Sequence, residues 1–112
     1  MQPSVKSLER EYQRLRKRLA KIGYISQGSV LDRSTLRKPR SGYQWTRKVG
    51  GRTVTVALSV EQFKAFGLAV QNERKLWKTI QQMERVSRRI LFGTLPDTAR
   101  HKSFRRKVLG LI

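Results

Sequence analysis

Acidic residues are scarce in this chain: 7 Asp and Glu stand against 26 Lys and Arg in 112 residues, a formal net charge of +19. Charge so unbalanced repels the compact state and persists where the partner is a polyanion. Cysteine is absent, which excludes disulfides and thiolate metal sites. The one histidine, His101, lies between Arg100 and Lys102 with no carboxylate to orient it. The acids Glu9, Glu11, Asp32, Glu61, Glu73, Glu84 and Asp97 are scattered, and none pairs with another at metal-ligand spacing. Glycosyl, acyl or phosphoryl chemistry needs a nucleophile with a base, paired carboxylates or a metal. The expectation is no enzyme, no metal and no cofactor. Long apolar runs are also missing: none approaches the roughly 20 residues of a membrane span, and the N-terminus carries no signal-peptide core. A soluble cytoplasmic protein without membrane contact follows, nucleoid- or nucleoprotein-associated if the partner is nucleic acid.

What is present is periodic. Tyr43-Gln-Trp-Thr-Arg-Lys-Val-Gly-Gly-Arg-Thr-Val-Thr55 alternates on both sides of Gly50-Gly51, a dipeptide that accepts the positive φ of a tight primed turn. Pairing across that turn opposes Tyr43 to Leu58, Trp45 to Val56, Arg47 to Val54 and Val49 to Arg52. One face is then aromatic and aliphatic with arginines at its edges; the other carries Gln44, Thr46, Lys48, Thr53, Thr55 and Ala57. Trp45 can stack a base or anchor the sheet, and its shared face with Val54 and Val56 favours the anchor.

Residues 5–22 predict a helix, with Val5, Leu8, Tyr12, Leu15, Leu19 and Ile22 on one seam, Ser4 as cap and Gly23 as a left-handed terminator. Lys6, Arg10, Arg14, Lys17 and Lys21 fall opposite that seam. Such a face is solvated in an ordinary helix; with only Glu9 and Glu11 beside it, it suits phosphates equally well. Tyr24–Leu31 reads as a strand with a bend at Gly28, and a basic loop follows with Arg33, Arg37, Lys38 and Arg40. Ser59-Val-Glu-Gln62 is a capping box that opens a second helix running to about Leu91, ended by Gly93 and Pro96. Its apolar stripe includes Phe63, Phe66, Val70, Leu76, Trp77, Ile80, Met83 and Ile90, with Trp77 in a core or an interface. Lys64, Lys75, Lys78, Arg85 and Arg89 fall opposite. The first helix matches only part of this length. Leu76, Ile80, Met83 and Ile90 are therefore expected to be left for the tail, a second copy or another protein.

The Tyr43–Ser59 stretch, with Asn72, Arg74 and Met83 downstream, resembles a family of short, basic, uncharacterised bacterial proteins. Its members share a Tyr-x-Trp-Thr-Arg-Lys-x-x-Gly-Lys-Thr-Val-Thr hairpin followed by a Leu-Ser helix cap. The likeness covers residues 8–90, with Arg52 in place of the usual lysine. Many relatives carry a Cys-Gly-x-x-x-Cys-x-Cys segment before the hairpin, suggestive of a metal knuckle. Here Asp32–Arg40 stands in that place, so the metal is not carried over. The resemblance implies company with transposase-like genes and hence DNA or RNA handling.

The sequence thus predicts an α+β fold: an N-terminal helix, a small three-stranded antiparallel sheet with a Gly-Gly hairpin, one long helix, and a basic C-terminal tail. Residues 1–96 form a single helix-meander-helix domain and 97–112 the tail. The predicted function is non-catalytic nucleic-acid binding, as an accessory subunit of a nucleoprotein or mobile-element-associated complex. The predicted contacts are Arg10, Arg14, Lys17, Lys21, Arg33, Arg37, Lys38, Arg40, Arg47, Lys48, Arg52, Lys75, Lys78, Arg85 and Arg89, with Arg105, Arg106 and Lys107 in the tail. No RNP motif, zinc-finger spacing or helix-turn-helix chooses between DNA and RNA. The alternative is a helical assembly protein, a homo-oligomer or part of a larger complex, docking through its long helix.

Overall fold

Helix α1 (Val5–Ala20) starts where Ser4, in extended conformation, accepts the Ser7 N–H on its Oγ at 3.1 Å. This is the cap that satisfies a donor left open at every helix start. It ends two residues earlier than its periodicity predicts, with the Lys21 N–H donating back to Arg18 and Leu19. Gly23 has no left-handed conformation; the chain leaves the helix through right-handed Lys21 instead. The computed structural model describes residues 3–96, so the expected basic tail lies outside the described residues.

Three antiparallel strands follow, β1 (Ser29–Asp32), β2 (Tyr43–Val49) and β3 (Arg52–Leu58), in the order β1-β2-β3. The hairpin register is the one the alternation predicts, Tyr43 opposite Leu58 through Val49 opposite Arg52. Gly50 and Gly51 turn it with φ of 56° and 79°. β1 is shorter than expected because Tyr24–Gln27 spends its hydrogen bonds elsewhere. The Ser26 N–H donates to the Ala69 carbonyl at 3.2 Å, and Asn72 Nδ2 donates to the Tyr24 carbonyl at 2.9 Å. Gly28 (φ 96°) makes the bend between that segment and β1. A Cβ there would lie 2.3 Å from the Thr46 carbonyl oxygen and 2.9 Å from Trp45 Nε1, so only glycine fits.

Helix α2 (Val60–Thr94) is a single element of 35 residues, about 50 Å long at 1.5 Å per residue. Its start is the predicted capping box: the Gln62 N–H donates to Ser59 Oγ at 3.1 Å and the Ser59 N–H donates to Gln62 Oε1 at 2.9 Å.

Where the composition suggests one domain, the chain divides into two compact units, because α2 is long enough to serve two cores. Residues 22–75 form one, and 3–21 with 76–96 belong to the other. In the sheet unit Tyr43 stacks on Phe63 at 4.4 Å and Trp45 tilts against Phe66 at 5.5 Å, with Ala69 and Val70 buried. Aromatic pairs of this kind add about 0.5–1.5 kcal/mol beyond their buried area. In the helical unit Leu8, Leu15 and Val86 are buried together, with Tyr12, Met83 and Ile90 packed around them. Each buried aliphatic side chain there contributes about 1.5–3 kcal/mol.

This packing revises the expected free surface on the long helix. Met83 and Ile90 pack against the Leu8, Leu15 and Val86 core and are partly buried, and Leu76 and Ile80 are half-buried as well. α1 occupies the later turns of α2, the very stretch expected to lack a partner. Trp77, expected in a core or an interface, lies outside the core at 56% exposed, because the drift of the stripe carries it off the buried side.

Candidate nucleic-acid interface

The helical unit gathers cations by simple helix geometry. From the seam residue Leu15, one step of three reaches Arg18 and one step back reaches Arg14; from Val86, the same steps reach Arg89 and Arg85. These four arginines wall a cleft of about 330 Å³ between α1 and α2, with Glu11 and Gln82 completing the rim and Leu15 and Val86 the floor. Both floor residues are only 5% exposed. Arg18 Nη1 donates to Gln82 Oε1 at 3.4 Å. None of the four guanidiniums is in an ion pair among the described residues; Arg88, on the same helix as Arg85 and Arg89, pairs with Glu84 at 3.2 Å. Like charges at i, i+4 oppose helix stability by about 0.2–0.5 kcal/mol per pair, so this cleft holds repulsion that an anion would relieve.

A second shallow depression on α1 is lined by Ser7, Arg10, Gln13, Arg14 and Lys17. Arg10, Arg14 and Lys17, expected together from the helical wheel, are thus neighbours, and Arg14 belongs to both hollows. Lys21 is exposed just past the helix end. Lys78 is exposed on α2, and Lys75 is exposed in the sheet unit.

In the sheet unit Asp32 caps a 3₁₀ turn, Arg33–Thr35, accepting from the Ser34 N–H at 3.0 Å and from Ser34 Oγ at 2.7 Å. These two bonds hold its carboxyl below the ordinary carboxylate range. Arg33 is half-buried and is a scaffold as much as a contact. Its Nε donates to Gln44 Oε1 at 3.2 Å, its N–H to the Gly42 carbonyl, and its own carbonyl accepts from Leu36 and Arg40. The loop folded around it presents Arg37, Lys38 and Arg40 to solvent. Arg47 lies 5.7 Å over the Trp45 ring, a cation–π contact of about 0.5–1 kcal/mol at an exposed site. Lys48 alternates to the other face and Arg52 sits by the turn, both exposed. Trp45 is an anchor: its ring meets Phe66 and its Nε1 donates to the Gln27 carbonyl at 2.9 Å. The free aromatic of this unit is Tyr24, 92% exposed.

Arg105, Arg106 and Lys107 lie outside the described residues. Sequence reasoning missed Arg18, Gln82 and Tyr24. Helical spacing puts Arg18 and Gln82 beside Leu15 and Val86, but only the placement of α1 on the later turns of α2 brings them to one cleft. No such spacing marks Tyr24. Among the described residues no three His, Cys, Asp or Glu side chains gather as a metal site would need, and no described helix is long and apolar enough to cross a membrane. Comparison with protein-family models, curated proteins and solved structures finds no match for this chain.

Proposed function

We propose that this chain is a non-catalytic nucleic-acid-binding protein, an accessory subunit of a nucleoprotein or mobile-element-associated complex. The observation that carries the reading is the arginine cleft: four guanidiniums around one hollow, unpaired by carboxylates among the described residues, in a chain of net charge +19. Phosphate contacts supply most of non-specific nucleic-acid affinity, and they need cations not already neutralised. The exposed loop Arg37–Arg40 and the hairpin arginines extend the same chemistry over the sheet unit. Tyr24 and Trp77, exposed on their respective units, offer faces on which bases stack, worth about 1–3 kcal/mol each.

Fluorescence anisotropy on single-stranded and duplex DNA and RNA, at 50 and 200 mM salt, tests this. With roughly 6–8 phosphates engaged, affinity falls on the order of a thousandfold between those salts. Absence of binding to all four at 50 mM overturns the reading.

A second reading, an assembly protein docking through its long helix, draws on the opposite flank of the same helix pair. There Tyr12, Leu19, Ile80, Met83 and Leu91 line an apolar groove. Sedimentation of the pure protein at several concentrations checks it: a monomer throughout removes self-association from consideration.

A further inference from the structure

We infer that the α1–α2 cleft is a built site for two or more adjacent phosphates of one nucleic-acid strand, gripped by arginine forks and not merely attracted by diffuse charge. The inference rests on the nucleic-acid reading for the source of the phosphates. Two i, i+4 arginine pairs face each other, Arg14 and Arg18 on α1 and Arg85 and Arg89 on α2; Cβ atoms in such pairs are about 5–6 Å apart. Each guanidinium presents planar, paired donors that match phosphate bidentately, which a lysine ammonium cannot do.

The floor of Leu15 and Val86 is buried, and a low-dielectric wall strengthens every charge interaction above it. Gln82 contributes as a positioning residue. Its Oε1 receives Arg18 Nη1, which aims that guanidinium and leaves the Gln82 amide NH₂ as a further donor. The one carboxylate on the rim, Glu11, makes no ion pair with any of the four, so the four guanidiniums keep a net positive charge and free donors. The cleft, about 330 Å³, is at the size where small-ligand pockets begin.

Arginine forks also fit carboxylates, and the test separates the two. The probe is sodium tripolyphosphate, titrated into the full chain while thermal unfolding is followed by circular dichroism. Sodium chloride at matched ionic strength and oligoglutamate of equal charge serve as parallel arms. At about a hundred times its Kd, tripolyphosphate raises Tm by several degrees, roughly 5 °C or more, and the other two arms do not. Arg85→Gln/Arg89→Gln melts no lower than wild type without phosphate, because a like-charge pair is gone, and loses most of the phosphate shift. Arg16→Gln/Arg74→Gln, the same loss of charge outside the cleft, keeps it.

An equal shift in the cleft variant, in chloride or in oligoglutamate overturns the inference. If the glutamine variant fails to fold, replacing the same two arginines by lysine decides. Phosphate affinity at the wild-type level rules out fork recognition, and a drop of about tenfold supports it. Nucleic-acid binding that survives Arg85→Gln/Arg89→Gln intact removes the cleft from the interface and leaves the broader reading standing. Tripolyphosphate bound through the cleft without any nucleic-acid affinity removes the broader reading and leaves the anion site.

Discussion

On one flank of the α1–α2 seam Arg14, Arg18, Arg85 and Arg89 surround a cleft with a single carboxylate; on the other, Tyr12, Leu19, Ile80, Met83 and Leu91 line an apolar groove. Both flanks come from the same turns of the same helices. From Leu8 and Leu15, a step of three residues lands on Glu11 and Arg18 at the cleft, and a step of four lands on Tyr12 and Leu19 at the groove. One residue of offset therefore decides whether a side chain stabilises the helix pair or is held out as charge. The apolar flank contributes stability. The basic flank opposes it slightly.

The largest effect should come from putting charge on the apolar flank. Met83→Glu sets a carboxylate at a partly buried position against Leu8, Leu15 and Val86, and should cost about 2 kcal/mol in urea unfolding. Arg85→Gln/Arg89→Gln should stay within about 0.5 kcal/mol of wild type or gain. Equal losses in the two variants would erase the difference between the flanks.

Next in size is recognition at the basic flank. Arg14→Lys/Arg18→Lys keeps the charge and removes the forks, so nucleic-acid affinity should fall about tenfold with stability unchanged. Anisotropy at constant salt measures this, and unchanged affinity would mean that only charge matters there.

Smaller still is the effect of the carboxylate at the rim. Glu11→Gln removes the cleft's one negative charge and should raise affinity about threefold at 50 mM salt and less at 200 mM, because screening shortens its reach. A fall in affinity would make Glu11 a scaffold for the arginines.

The smallest concerns Asp32, which differs from Glu11 in having its bonds made. Hydrogen bonds from Ser34 lower its pKa in the folded chain. The stability it contributes is therefore present above the unfolded carboxylate pKa and is lost as pH falls through the lowered folded value. Asp32→Asn should flatten a small part of the acid loss of Tm below about pH 4; an identical acid profile in the two proteins would assign that loss to other carboxylates.

The two units differ in how much of them was legible in the sequence. In the sheet unit a period of 2 leaves no freedom: once Gly50-Gly51 marks the turn, every partner from Tyr43–Leu58 to Val49–Arg52 follows, since a slip by one would turn Tyr43 and Trp45 away from Phe63 and Phe66. The Ser59–Gln62 box was equally explicit. Tyr24–Gln27 was misjudged because its hydrogen bonds go to Ala69 and Asn72, about 45 residues away, and no local pattern records that. In the helical unit, periodicity specifies which side of α2 is apolar but not which turns α1 meets, because the stripe repeats along the axis. The same degeneracy hid Arg18 and Gln82, whose roles exist only once α1 is placed. Arg10, Arg14 and Lys17 were legible as neighbours on one face of α1. That Arg14, Arg85 and Arg89, expected opposite the apolar seams, flank Leu15 and Val86 in one cleft was not.

Salt dependence of nucleic-acid binding tests the central claim most directly, measured side by side for wild type, Arg85→Gln/Arg89→Gln and Arg16→Gln/Arg74→Gln. On duplex DNA each phosphate neutralised contributes about 0.9 to the slope of log K against log salt. The account predicts a steep wild-type slope, a decrease of roughly 2 in the cleft variant, and a wild-type slope in the variant with charge removed elsewhere. A shallow wild-type slope, or equal slopes in all three proteins, would contradict it.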